Sequence, residues 1–219
     1  MEKYLKNLIS GGEGLNLDFK YCISDSRKIA RTLSAFANTE GGKLLIGVRD
    51  NGSVAGVRSD EEYYMIETAS GLFCKPEIPI KIRQHIAEGK TVLEVDVVKG
   101  DKRPYLSKGE DGKWVAYFRH GDQNLAANNI ILSLWRRSES KKGVLIRFAK
   151  PENELMENLR KNETITFSGF RKLARIPYYR AEKIIVNLLI CKVLEMNISE
   201  KGFTYSLSRN EKDKNAKPD

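Results

Sequence analysis

Several things are scarce in this sequence of 219 residues, and each scarcity removes a class of answer. The three cysteines, Cys22, Cys74 and Cys191, are odd in number, far apart and without a CxxC pair. They exclude a disulfide framework, give no zinc or redox motif, and read as reduced packing residues. The two histidines, His85 and His120, have no partner at ligand spacing and read as structural. No uninterrupted apolar run approaches the ~20 residues of a membrane-spanning helix, and MEKYLKNLISGGEG has no signal-peptide core. The expectation is a cytoplasmic protein with no membrane partner. No GxxxxGK[ST] is present, and neither GGEGLN nor GEDGKW supplies a glycine cradle with its following Lys and Ser/Thr, which argues against ATP hydrolysis.

What is present is ordinary in amount and uneven in placement. Hydrophobic residues make up 41% and charged residues 31%, as in a folded chain with a normal core, and the length suits one medium and one small domain. The net charge of +9 is not spread evenly. Residues 1–135 carry 19 basic against 18 acidic residues, residues 136–150 carry 6 against 1, and residues 151–219 carry 13 against 10. The dense stretch RRSESKKGVLIRFAK, with Arg136, Arg137, Lys141 and Lys142, is a candidate footprint for a polyanion, because neutralising phosphates releases counterions. A solvated basic linker gives the same composition.

Periodicity organises the first part as an α+β domain. Tyr4, Leu5, Leu8 and Ile9 have helical spacing, stopped by Gly11-Gly12, and LNLDFKYCI then alternates as a strand with Asp18 and Lys20 on its polar face. SDSRKIARTLSAFAN predicts a helix capped by Ser24 or Asp25. KLLIGV predicts a buried strand, and Asp50-Asn51-Gly52 a tight turn. A helix follows, with Ser59 and Glu62 in capping-box positions. IPIKIRQHI and KTVLEVDVV form a hairpin over AEGK, KWVAYFRHG is another strand, and LAANNIILSLWRR a closing helix.

From residue 151 helical periodicity takes over. PENELMENLRKN, TFSGFRKLARI and PYYRAEKIIVNLLICK predict three helices, and VLEMNISEKGFTYSLS a hairpin, the plan of a winged helix-turn-helix. Tyr178, Tyr179, Arg180 and Lys183 would open its recognition helix, and Lys201 at the hairpin tip would reach a phosphate. The expected divisions are therefore residues 1–138, a basic linker over 139–150, a winged helix over 151–209, and a polar tail over 210–219.

GEGLNLDFK, LSAFANTEGGKLLIGVRDNGSVAGV and YFRHGDQNLAA together resemble the AlbA-2 or Schlafen-like DNA-binding domain of prokaryotes, over roughly residues 8–135. The resemblance implies a mixed sheet domain with flanking helices, often followed by a winged helix, in regulator-like proteins; an older label is divergent AAA ATPase. It also places Arg119 in a family segment near the polar face. In Schlafen relatives that cleave RNA, the implied acidic trio falls on Glu13, Asp18 and Asp50 here, with Lys20 beside it. Such carboxylates would hold Mg²⁺ or Mn²⁺ and orient water on a phosphodiester. Asp18 stands where the family has Glu, one methylene shorter.

Three function classes follow. The leading one is a nucleic-acid-binding, transcription-regulator-like protein, DNA ahead of RNA, with no cofactor and with pairing into a homodimer as an expectation. A divalent-metal-dependent endonuclease on Glu13, Asp18 and Asp50 is the enzymatic alternative, and a protein-interaction adaptor the third. Asp50-Asn51-Gly52 reads equally as a plain turn, and Asp18 with Lys20 as a solvent-facing pair.

Overall fold

The computed structural model describes residues 2–138, 143–199 and 202–209. The chain divides into two units, Met1–Asn128 and Asn129–Asp219.

The first unit is organised by one helix. Ile29, Leu33, Phe36 and Ala37 form an apolar stripe, and Asp25 caps the run by accepting a hydrogen bond from Arg27 N at 2.8 Å, giving α2 over Ser26–Asn38. With α1 (Glu2–Ser10) and α3 (Glu61–Gly71) it flanks two four-stranded sheets. One sheet has β1 (Leu17–Lys20), β2 (Gly42–Ile46), β5 (Lys90–Val97) and β4 (Ile80–Ala87) in the order β1-β2-β5-β4. The other has β3 (Cys74–Lys75), β6 (Leu106–Lys108), β7 (Trp114–His120) and β8 (Gln123–Ala126) in chain order. The stripe of α2 packs with Leu44, Ile46, Leu93, Val95 and Val97 on the first sheet. The second sheet is attached by hydrogen bonds from the polar residues of SAFANT. Asn38 Nδ2 donates to the carbonyls of Tyr105 and Tyr117 at 2.7 and 2.8 Å, Ser34 Oγ donates to the Tyr105 carbonyl at 2.8 Å, and Thr39 Oγ1 accepts from Arg119 N at 2.9 Å.

The opposite face of the first sheet is covered by α1 through Leu5, with Leu17, Phe19, Leu45 and Val92. It also buries a charge. Glu94 is fully buried, and its Oε1 accepts from Lys43 Nζ at 2.6 Å, Arg83 Nη1 at 3.1 Å and Tyr4 Oη at 3.1 Å, while Oε2 lies 2.6 Å from His85 Nε2.

The second unit contains α4 (Asn129–Ser138), α5 (Lys150–Asn162), β9 (Thr164–Thr166), α6 (Phe167–Ala174), α7 (Tyr178–Ile190), β10 (Leu194–Ser199) and β11 (Gly202–Leu207). Its sheet runs β10-β11-β9, all antiparallel. Leu155, Leu159, Phe170, Ile185, Leu188 and Tyr205 make its core.

Three findings depart from the expectations. The division falls after Asn128 rather than at 138, because Ile130 and Leu134 of α4 pack into the second core and Ser133 Oγ donates to Glu182 of α7. Gln123–Ala126 and Thr164–Thr166 are strands, because pairing with β7 and β11 gives these short segments partners that no periodicity announces. Glu62 does not form a capping box: its two oxygens accept from Ile23 N and Arg58 N, and Asp60 precedes α3 without a side-chain cap. Lys201 and the tail over 210–219 lie outside the described residues.

At Gly47 φ is +91, and a Cβ there would stand 2.8 Å from the carbonyl carbon of Gly56 and 2.9 Å from Val57 N. Gly47→Ala is therefore expected to destabilise the fold by about 1–3 kcal/mol, read as a lowered urea midpoint at unchanged slope. Glu94 supplies a pH test. Burial, the largest influence, pushes its pKa up, but donation from Lys43, His85 and Tyr4 outweighs it and holds the carboxyl below its ordinary value. A depressed folded-state pKa gives stability that is present above the unfolded value and lost as pH falls through the folded one. The stability gap between wild type and Glu94→Gln is thus expected to be full at neutral pH and to shrink below about pH 4.3, in denaturant melts across that range.

Candidate nucleic-acid interface

Alternation along β1 sets the geometry of the first unit. Leu17 and Phe19 turn toward α1, so Asp18 and Lys20 turn to the other side of the sheet. There Asp18 meets Arg119 of β7. Arg119 Nη1 donates to Asp18 Oδ1 at 3.1 Å and Asn124 Oδ1 at 3.0 Å, and Nη2 donates to the carbonyls of Gly14 at 2.6 Å and Leu17 at 3.2 Å. The guanidinium also lies 5.0 Å from the centre of the Phe36 ring, and the side chain is fully buried. Lys20 Nζ stands 2.7 Å from Asp18 Oδ2 and donates to the Phe19 carbonyl at 2.7 Å. Glu13 Oε1 accepts from Phe19 N at 2.7 Å; its pKa is raised by burial and by the nearby Asp18, with the Phe19 N–H opposing.

These contacts border a concavity of about 580 Å³. Lys20, Arg27, Lys28 and Arg31 line it from β1 and α2, and Glu110, Asp111 and Asp122 from the second sheet's turns. Arg27 and Arg31 rest on the rings of Phe73 and Tyr117, at 4.9 and 5.3 Å. The sequence reading passed over these α2 cations, although the i, i+4 spacing of Arg27 and Arg31 is a signal for a shared helix face.

The family question is decided over this unit. A family model described as Schlafen, AlbA_2 matches residues 13–128. The chain belongs to this family. No curated protein matches it. Among solved structures, it is similar to the DIP2311 protein of Corynebacterium diphtheriae at 17% identity and a TM-score of 0.48, covering 90% of this chain and 39% of that one. It is also similar to the N-terminal domain of a Nitrosomonas europaea protein named as ATP-dependent DNA helicase RecG-related, at 21% identity and a TM-score of 0.39, covering 57% of this chain and 95% of that one. The chain thus spans well under half the length of the Corynebacterium chain.

Within the Schlafen, AlbA_2 unit the implied acidic trio does not converge. Glu13 and Asp18 are neighbours, but Asp50, in the turn after β2, lines a separate hollow with Ile9, Phe19 and Glu88 on the α1 side. Asp18 has one oxygen on Arg119 and the other on Lys20, and one Glu13 oxygen is taken by a backbone N–H. Among the described residues no three His, Cys, Asp or Glu side chains are grouped to hold a metal ion. The arrangement does not fit Mg²⁺ or Mn²⁺. Arg119 is likewise corrected: a buried guanidinium occupied by four internal acceptors cannot present itself to a phosphate.

In the second unit the structure places the expected basic residues differently. Arg136 is exposed and Arg137 half-buried on the last turn of α4, and Lys141 and Lys142 lie outside the described residues. On α7, Tyr178, Tyr179, Arg180 and Lys183 are all exposed, and Tyr178 also packs edge-on against Phe167 with ring centres 4.9 Å apart. Among the described residues no helix is long and apolar enough to cross a membrane.

Removing Arg119 leaves Asp18 buried without its buried partner, with only the half-exposed Lys20 opposite. Arg119→Met is expected to cost about 3–5 kcal/mol, and Asp18→Asn added to it to recover part of that loss. Chemical denaturation of both variants checks the ordering.

Proposed function

We propose that this chain is a nucleic-acid-binding protein of the transcription-regulator type, with DNA ahead of RNA. The second unit is read as a winged helix-turn-helix: α5, α6 and α7 as its three helices, β9 as the short strand between the first two, and β10–β11 as the wing. In that reading α7 is the recognition helix, and a two-fold pair of chains would offer two such helices to successive half-sites.

The observation that carries the reading is on α7. Ala181, Ile184, Ile185 and Leu188 are buried in the core, while Tyr179, Arg180 and Lys183 stand out to solvent at the N-terminal end. An amphipathic helix whose exposed end combines an aromatic ring with two cations suits phosphate and base-edge contact. The Schlafen, AlbA_2 unit adds the Lys20, Arg27, Lys28 and Arg31 rim, but its opposite lining is acidic, so the affinity is assigned mainly to the second unit.

Fluorescence anisotropy with labelled duplex DNA, single-stranded DNA and RNA tests this. Duplex binding is expected to weaken steeply between about 50 and 200 mM salt, and Lys183→Ala to weaken it on every sequence and to lower the salt slope by about 1. Salt-independent association, or association that ignores Arg180→Ala together with Lys183→Ala, overturns the reading.

A further inference from the structure

The second unit carries a concavity of about 510 Å³ between α7 and the segment 143–149, within the roughly 300–1,000 Å³ of ligand sites. Two features of its lining are unexplained by the fold. Glu152 Oε2, from the first turn of α5, and Asn187 Oδ1, from α7, are both buried, and neither has a hydrogen-bond partner among the described residues. Buried polar atoms are satisfied with few exceptions, so two orphan acceptors, each carried by a half-buried side chain that lines the same concavity, ask for donors from outside the chain. The remaining polar lining has the opposite character: Arg147, Arg180 and Lys183 set three cations against the one carboxylate. Tyr179, 74% exposed, offers a free aromatic face, and Leu145 and Ile184 are the apolar lining.

We propose that this concavity binds a single nucleotide unit with a preference for guanine. The base edge satisfies Glu152 and Asn187, its face rests on Tyr179, and the phosphate pairs with Arg147, Arg180 and Lys183. Guanine alone among the common bases presents an imino and an amino donor side by side, the arrangement a carboxylate accepts through both oxygens. Adenine and cytosine place a ring acceptor next to their amino group, and uracil and thymine flank their imino donor with carbonyls; each would set lone pairs against lone pairs here. Aromatic stacking tolerates any base, so Tyr179 supplies affinity and the two acceptors supply discrimination. The inference shares Tyr179, Arg180 and Lys183 with the duplex-reading proposal, but its guanine preference rests on Glu152 and Asn187, which have no part in that proposal.

Isothermal titration of the full chain with GMP, AMP, CMP and UMP tests it, beside two single-stranded oligonucleotides, an oligothymidine and the same strand carrying one guanosine. The expected result is GMP binding at least about tenfold tighter than the other three, with Glu152→Gln removing that preference and Asn187→Leu weakening it. If only the guanosine-bearing strand shows the preference, the site takes the nucleotide within a chain; if GMP shows it, the site takes the free nucleotide. Absence of any guanine preference in both arms overturns the proposal, as does a preference unchanged in Glu152→Gln. Thermal melts of both variants confirm that they fold, and duplex binding retained in Glu152→Gln keeps this outcome separate from that of the DNA-reading proposal.

Discussion

The ion pair between Asp18 and Arg119 is the constraint on which the first unit depends. It joins β1 of one sheet to β7 of the other across α2, and the same guanidinium closes the Gly14–Leu17 corner and rests on Phe36. An arginine placed so deep needs acceptors, because a buried cation without them is far costlier than a surface one. Four oxygen acceptors take up Nη1 and Nη2 and the Phe36 ring lies against the guanidinium, while Nε has no partner among the described residues. The pair therefore ties one sheet to the other beside the concavity, in addition to the contacts of Ser34, Asn38 and Thr39.

The same pair explains why the acidic residues do not behave as a metal centre. Strand alternation sends Asp18 to the Arg119 side of the sheet, and the turn after β2 leaves Asp50 with Phe19 on the other. A shared motif constrains which residues are present, whereas a metal site needs their oxygens to converge and to be free. In this member of the Schlafen, AlbA_2 family the oxygens of Asp18 are committed to Arg119 and Lys20. The polar residues of SAFANT are committed too: Ser34, Asn38 and Thr39 anchor the second sheet through its backbone.

In the second unit the exposed surface of α7 is shared out along its length. Near its start Tyr179, Arg180 and Lys183 are open, Glu182 is taken by Ser133 of α4, and farther on Asn187 lines the concavity beside 143–149. A helix that packs one stripe, lends another to a neighbour and keeps one end free has little surface left over, so the candidate contacts concentrate in its first two turns.

The helices and longer strands were legible in the sequence because their apolar spacing matches one period or the other over many residues: Ile29, Leu33, Phe36 and Ala37 for α2, and the alternation of β5. The Asp25 cap and the Asn51-Gly52 turn were legible because local chemistry is enough to form them. The family was legible from fixed residues. The strands β8 and β9, the attachment of α4 to the second unit, the burial of Arg119 and the parting of Asp50 from Asp18 were not. Each depends on what a residue meets from a distant part of the chain, and only packing in three dimensions decides whether a charge becomes a latch, a surface contact or a site.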